Sequence, residues 1–478
     1  MLAKGHRNVT TISTLSDNAL LEIFDRFREQ DDQYNQSPFY VWEWHLLVHV
    51  CRRWRRIIFA SPRRLNLQLL CTYGTPVSKI MDIWPTIPVM VLFFRVTGPS
   101  DEEAVITALE HSDRVSRIKL FVSESQLGKI TALMLEPFPV LTHLSITSES
   151  GSTLPDRFLG GSALPLQQLD ICNIVYPALP TLLSSANNLI DLSLRNTTPP
   201  AGYVSPEALV THVAALLRLE ILDVGFTSFL DPISSHLITR TVLPALRKFT
   251  FSGSCKYLED FISRIDTPQL NSIVVYYESG NNFDVTQLTK FVDRPETLKR
   301  SLSGHCEILL YERDQNFVVF SVGRTAWKRC PKPGITVRLR DGIEGYFSHL
   351  TNIDGFMAPL LSHVVHCTIH SMMLVFYPVH WSEPLLQGEF AWLQFLRQLS
   401  SVQTLFVSNA ISSIVSELLI YLHGTMITEV LPALKLLCLE NKPTPSLDRF
   451  LAARRDAGHP VTFIQTKEEF EEKLKSYP

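Results

Sequence analysis

The chain has 478 residues, 45% of them hydrophobic and 19% charged, with a formal net charge of −3. That length holds two or three ordinary domains, or one short module and an extended array. The near-neutral balance argues against a dedicated nucleic-acid binder. Prolines outnumber glycines, 29 to 20, as in an array with many short, stiff connections. The eight cysteines are scattered without a CxxC pair, and MLAKGHRNVTTIST at the start has no apolar leader run. They read as reduced thiols of a cytoplasmic and/or nuclear protein. The longest apolar runs, such as Val89 to Phe94, fall far short of the roughly 20 residues a membrane span needs, so no membrane partner is expected.

In chain order, the first patterned stretch is Leu15 to Phe59. It predicts two short amphipathic helices, LSDNALLEIFDRF and WEWHLLVHVCRRWRRIIF, split by a polar loop from Asp25 to Glu43. Leu20, Ile23, Phe24 and Phe27 recur at i, i+3, i+4 and i+7, one stripe of a 3.6-residue period. Ser16 or Asp17 can cap it, because a short side-chain oxygen accepts a bond from an orphan backbone N–H. Leu47, Val50, Cys51, Trp54 and Ile57 repeat the spacing, with Arg52, Arg53, Arg55 and Arg56 on the flanks. Two such short helices cannot bury both stripes against each other alone, so they want a partner surface.

This pattern resembles the F-box, the motif that docks substrate receptors onto the Skp-type adaptor of SCF ubiquitin ligases. The matching residues are Leu15, Asp17, Leu20, Leu21, Ile23 and Phe24, then Leu47, Val50, Cys51, Arg53 and Trp54. The next run, IIFASPRRLNLQLLCTYGTPV, is similar to the segment C-terminal to the F-box in a group of fungal F-box proteins with leucine-rich repeats. Ser16 stands where that motif usually has Pro, and the loop after Asp25 is longer than in a compact F-box. The resemblance places an F-box at residues 10–65. It implies adaptor contacts by Leu15, Leu20, Leu21, Ile23, Phe24, Leu47, Val50, Cys51 and Trp54, and through the adaptor a cullin.

Residues 66–115 read as a linker and the first elements of an array. From His45 to Met81 there is no Asp or Glu, while Arg52, Arg53, Arg55, Arg56, Arg63, Arg64 and Lys79 are basic. Such a patch is either a nuclear-localisation or phosphate-binding site, or a solvated helix flank and neck facing an acidic adaptor, the preferred reading. IPVMVLFFRV (87–96) is apolar throughout, as a buried strand is. SDEEAVITALEHS (100–112) predicts a helix with Ser100 as N-cap and Glu103 completing a capping box.

From about residue 115 the chain repeats itself. The unit is a Pro-containing turn followed by L-x-x-[LIF]-x-[ILVF], starting at Leu141, Leu166, Leu189, Leu219, Leu246 and Leu270. Successive starts are 25, 23, 30, 27 and 24 residues apart, the period range of leucine-rich repeats. Each unit predicts one short strand of the Leu144/Ile146 kind, with helices such as 176–188 and 205–218 between strands. One unit buries too little alone, so stacking stabilises the array. The array spans 116–460, with an irregular section at 300–370. There 306–322 reads as an antiparallel hairpin, and 335–340 and 363–371 as further strands. The repeat returns at Val402 and Leu434. Thr466, with Glu469 three residues on, caps a final helix within 461–478.

His363, His366, Cys367 and His370 are the tempting metal cluster. Val364, Val365, Thr368 and Ile369 between them are β-branched, which favours a strand. A strand would set His366 and His370 about 13 Å apart, too far for one metal. No P-loop, GxGxxG after a strand, GxSxG or HExxH occurs. Cys172 and Cys438 fall between core positions of the repeats. No metal and no cofactor is expected.

A repeat array usually binds on its strand face. The residues that alternate with inward positions are His143, Ser145, Gln168, Asp170, Asp191, Ser193, Arg195, Asp223, Lys248, Thr250 and Tyr276. The mixed, polar set suits a protein or peptide, or an ordinary solvated sheet. Asp170, Asp191, Arg195, Asp223, Lys248 and Tyr276 are the candidate substrate contacts. The expectation is an α/β protein: a short α-helical F-box, then a curved leucine-rich-repeat solenoid with parallel strands. It is a non-enzymatic receptor for a protein substrate. Two rivals stand: a repeat scaffold whose F-box-like helices cap the solenoid, and an enzyme with a site in the irregular section.

Overall fold

The computed structural model describes residues 12–32, 43–61, 68–74, 76–84, 87–93, 95–195, 204–226, 240–278, 286–302, 304–313, 317–323, 334–340, 367–375, 396–397, 399–407, 426–439, 445–466 and 469. The chain forms two compact units, Met1–Ala186 and Asn187–Pro478.

The first unit opens with three helices, α1 (Asp17–Asp32), α2 (Glu43–Val50) and α3 (Arg52–Ala60). Two differences from expectation matter. Helix α1 runs on to Asp32, into the stretch read as loop, and the long second helix breaks at Cys51. Cys51 takes extended dihedrals and its sulfur accepts the Trp54 N–H at 3.4 Å, so it is the N-cap of α3. The rest alternates strand and helix: β1 (Leu69–Cys71), α4 (Val77–Ile83), β2 (Val89–Phe93), α5 (Pro99–Leu109), β3 (Val115–Val122), α6 (Glu124–Leu133), β4 (His143–Thr153), β5 (Gln168–Val175) and α7 (Leu179–Ser185). Strands β1 to β5 pair in sequence order, all parallel.

The cap of α5 is not Ser100. The helix starts at Pro99 after Gly98, and the Asp101 carboxylate accepts from the Thr97 N–H at 3.1 Å and its hydroxyl at 2.7 Å. An acidic side chain one turn in satisfies the chain entry from within the helix.

In the second unit the order is β6 (Asp191–Arg195), α8 (Pro206–Val213), β7 (Ile221–Gly225), β8 (Thr241–Val242), β9 (Lys248–Gly253), α9 (Cys255–Ser263), β10 (Ile265–Asp266), β11 (Ser272–Glu278), α10 (Thr286–Val292) and α11 (Glu296–Leu302). Then come β12 (Gly304–Arg313), β13 (Phe317–Gly323), β14 (Gly334–Arg340), β15 (Cys367–Val375), β16 (Thr404–Val407), α12 (Met426–Glu429), β17 (Leu436–Leu439), α13 (Pro445–Asp456) and β18 (Thr462–Ile464). The sheet order is β6-β7-β9-β11-β14-β13-β12-β15-β16-β17-β18, and β8 pairs with β10 apart from it. Only β13 runs antiparallel to its neighbours among these described strands. The hairpin read at 306–322 is thus β12–β13, inserted so that β14 pairs beside β11. Strand β18 continues the parallel ladder into the segment assigned to the C-terminal cap. There the Thr466 hydroxyl accepts the Glu469 N–H at 3.3 Å.

The repeat determines this register. Strands β4, β5, β6, β7, β9 and β11 each begin two residues after the first leucine of their copy. Their third motif positions lie side by side, His143 against Gln168 in one unit, and Asp191, Ile221, Lys248 and Ser272 in the other. The opening leucines and the pairs Leu144/Ile146, Leu169/Ile171, Leu192/Leu194, Leu222/Val224, Phe249/Phe251 and Ile273/Val275 are all buried. Each such side chain contributes about 1.5–3 kcal/mol on burial. In the middle of the second unit aromatics fill the layer between strand and helix. Phe249 stacks on Phe261 at 5.6 Å and meets Phe291 edge-on, while Phe251 stacks on Tyr257.

Three arginines tie successive helical layers. Arg114 donates to the carbonyls of Met81, Trp84 and Ile87, at the C-terminal end of α4. Arg294 donates to Ile262 and Ile265 behind α9. Arg454, fully buried, reaches Ile427, Leu431, Pro432 and Leu434 behind α12. A guanidinium satisfies several orphan carbonyls at once and complements the negative end of the helix dipole.

Candidate functional site

The N-terminal helices have their own small core. The Ser16 hydroxyl accepts the Ala19 N–H at 3.2 Å, starting α1. Leu20, Leu21 and Phe24 are buried, and Trp54 of α3 meets Phe24 edge-on with centroids 4.7 Å apart. Arg53 clamps the two helices, donating to the Asp17 carboxylate at 2.6 and 3.0 Å and to the Leu15 carbonyl at 2.5 Å. Arg55 Nε donates to the Val48 carbonyl at 3.0 Å, closing the end of α2.

This arrangement divides the residues that the resemblance singled out. Leu20, Leu21 and Phe24 are spent on the chain's own core, and Leu15, Leu47 and Trp54 are half-buried. Ile23, Val50 and Cys51 face outward, Ile23 at 44% and Val50 at 58% exposure. The single stripe expected in α1 therefore splits, because Leu21 turns inward in place of Ile23. Leu46, 64% exposed and one turn before Val50 on α2, belongs with this outward set. Sequence reading passed over it, because the pattern assumed one unbroken helix through Cys51. The signal was there: Leu46 and Val50 stand four apart, the spacing of one helix face.

On the strand face of the first unit, Arg117, His143 and Gln168 form one cross-strand row, and Lys119, Ser145 and Asp170 the next. Ser145 donates to Asp170 at 3.0 Å. The Thr142 hydroxyl bonds the Ser116 carbonyl at 3.0 Å and lies 2.8 Å from His143 Nδ1. Burial, helped by the Arg117 charge, pushes the His143 imidazole down to about 4. At neutral pH it is an uncharged polar group.

The second unit carries the other candidates. Asp191 and Lys248 lie in one row with Ile221 between them, Ser193, Asp223 and Thr250 in the next, and Arg195, Gly225, Ser252 and Tyr276 in the third. Arg195 Nε donates to the Ser193 hydroxyl at 3.0 Å and stands 3.9 Å from the Asp223 carboxylate. Ser193 is itself buried, so it supports Arg195 and offers no surface of its own. Asp191, Asp223, Lys248 and Tyr276 are half-buried and Arg195 exposed. The charges are mixed: Asp191 and Lys248 share the first row, Asp223 alone charges the second and Arg195 alone the third.

Among the described residues, no three His, Cys, Asp or Glu side chains gather to hold a metal. His363 and His366 lie outside those residues. Cys367 and His370 fall on β15, where a register shift opposite Cys306 and Glu307 makes His370 the extra residue of a bulge. Cys172 is half-buried, whereas Cys438 is fully buried. No helix among the described residues is long and apolar enough to cross a membrane.

No protein-family model matches the chain, and no curated protein matches it by sequence. Among solved structures it aligns with the crystal structure of a Bacteroides fragilis protein, a structural-genomics target. The identity is 9% over 80% of this chain and 76% of that one, with a TM-score of 0.18. A superposition that loose carries no argument about fold or function.

Proposed function

We propose that this chain is a substrate-recognition subunit of an SCF-type ubiquitin ligase. Its N-terminal helices dock on a Skp-type adaptor as an F-box does, and its leucine-rich-repeat-like strand face holds a protein substrate. The observation that carries the docking half is the outward set Ile23, Leu46 and Val50, on a module whose own core of Leu20, Leu21, Phe24 and Trp54 is already filled. Exposed apolar side chains on a small helical module, two of them one turn apart on α2, are what a protein interface uses. The chain's contribution is proximity. It raises the effective concentration of a substrate lysine beside a ubiquitin-charged enzyme, and the bond chemistry belongs to its partners.

The test is co-purification of the full chain with a Skp-type adaptor, beside an Ile23→Asp, Leu46→Asp, Val50→Asp form. All three side chains are exposed, so the variant keeps its core. Trp54→Ala is a poorer choice, since it removes the Phe24 contact. A complex formed by the natural sequence and lost in the triple variant supports the reading. No complex with either sinks it.

One observation favours a second reading, a repeat scaffold whose N-terminal helices cap the array. Phe59 of α3 stacks on Trp84 behind α4, and Ile57 and Ile58 are buried. On that reading deleting residues 1–61 destabilises the first unit, and no adaptor binds.

A further inference from the structure

The strand face of the first unit has a third cross-strand row, Phe121, Thr147 and Cys172, all half-buried. The Arg95 guanidinium lies over the Phe121 ring, 5.8 Å from its centroid, within cation–π reach. It also ion-pairs with Glu149. The backbone of Arg95 is fixed as well: the Tyr73 hydroxyl accepts its N–H at 2.6 Å and donates to its carbonyl. Although held from these sides, the Arg95 side chain stays 64% exposed.

Glu149 sits on a break in the repeat. Strands β4 and β5 pair in step from His143 and Gln168 to Thr147 and Cys172, then resume at Ser152 and Ile174. Residues 148–151 therefore stand against Asn173 alone. In the second unit β6, β7, β9 and β11 keep an unbroken register. The excursion is firmly closed. Asn173 takes a left-handed φ of 57°, uncommon for a non-glycine residue, and its Nδ2 donates to the Ser148 carbonyl at 3.1 Å. The buried Ser148 and Ser152 hydroxyls bond at 2.8 Å. Stacking of repeats needs none of this. Bulges re-aim side chains and gather beside functional sites, and the side chain aimed here is Glu149, which pins Arg95 over Phe121.

We infer that Arg95 is a docking plate for an aromatic side chain of the protein substrate, stacked on the guanidinium opposite Phe121. This rests on the substrate-holding half of the reading above and names the kind of side chain held. A guanidinium is planar and stacks well on aromatic rings. The local charges disfavour other occupants. A carboxylate approaching Arg95 meets Glu149, and a cation approaching Glu149 meets Arg95. An aromatic ring opposes neither, and Tyr73, 41% exposed, sets a further ring beside the Arg95 backbone.

The experiment is saturation-transfer NMR on the full chain, with N-acetyl-tyrosinamide, N-acetyl-leucinamide and the matching glutamate amide as probes. It compares the natural sequence with Arg95→Lys, which keeps the charge and loses the plane, with Arg95→Ala and with Glu149→Gln. Arg95 is exposed, and an unchanged melting temperature checks the fold. The expected result is transfer to the tyrosine ring protons, with binding several-fold weaker in both Arg95 variants and partly weakened in Glu149→Gln. The leucine probe should not respond to these substitutions. Tyrosine binding that is absent, or equal in the natural sequence and both Arg95 variants, overturns the inference. So does a glutamate probe that binds more tightly than the tyrosine one and depends on Arg95. Adaptor co-purification is scored separately on the same samples. An adaptor complex with an unresponsive tyrosine probe sinks this inference and leaves the docking reading standing. Tyrosine binding that depends on Arg95, without any adaptor complex, supports the aromatic site and brings down the ligase reading.

Discussion

Phe59 and Trp84 stack with ring centroids 4.2 Å apart and planes 25° from parallel. One ring ends the third N-terminal helix and the other comes just after α4, so the contact joins the helical module to the start of the strand array. The Trp84 carbonyl in turn accepts from Arg114 at 2.5 Å, just before β3. A chain of contacts thus runs from α3, through Trp84, to the residue that precedes β3.

Trp84→Ala should loosen that joint without unfolding the array. The aromatic pair contributes about 0.5–1.5 kcal/mol beyond the area it buries. Limited proteolysis of the full chain should show faster cleavage between residues 61 and 76 in the variant. Equal cleavage rates would mean the stack does not hold α3 in place.

Arg454 is the most deeply placed of the three arginines that bridge layers. Its guanidinium serves the carbonyls of Ile427, Leu431, Pro432 and Leu434 at 2.8–3.4 Å. Arg454→Ala orphans those carbonyls and leaves a cavity, an expected loss of about 3–5 kcal/mol. Arg454→Lys should rescue little, because one ammonium cannot span the fork. Hydrogen exchange at β16 and β17, which are buried on both faces, reads the effect directly. Unchanged protection in the Ala form would refute it.

These arginines show what sequence reading reaches and what it misses. The repeat was legible because Leu141, Leu166, Leu189, Leu219, Leu246 and Leu270 open copies whose apolar alternation has period two, and every strand starts at the same offset. The bridges were not, since the carbonyls that Arg114, Arg294 and Arg454 hold lie some 20 to 33 residues earlier in the chain. No local pattern marks them. The break at Cys51 was hidden for a different reason: the apolar spacing continues through it, and a cysteine is an uncommon N-cap. Leu46 and Val50 are legible as one helix face from their spacing of four, whereas the exposure of Ile23 follows from the inward turn of Leu21, which no local pattern marks.

Gly160 tests a tight passage in the first unit. It adopts φ +66°, and a Cβ there would sit 2.8 Å from Pro137 Cγ. Its neighbour Leu159 is also left-handed, at φ 55°, and its N–H donates to the Met134 carbonyl at 2.7 Å. Gly161, at φ +72°, has open space around a Cβ. Gly161→Ala should therefore cost only the backbone strain, about 1 kcal/mol, and Gly160→Ala clearly more. Urea midpoints of the two variants decide it, and equal midpoints would show that Pro137 gives way freely.

His143 sets a pH dependence whose sign comes from its surroundings. Burial first, and the Arg117 charge second, hold the folded imidazole down to about 4, against 6.5 for the free side chain. Between those values the unfolded chain binds a proton that the folded chain refuses, so acid favours unfolding. The contribution is fully present above about pH 6.5 and is lost as pH falls toward 4. Part of the ring is solvated, which reduces the effect below what the shift alone implies. His143→Gln keeps a polar group against Thr142 but cannot take up the proton. The melting temperature of the natural sequence should fall more steeply than that of the variant from pH 6.5 to 4, and the two curves should run parallel above pH 7. Parallel curves across the acid range as well would mean that the ring already accepts its proton in the folded chain.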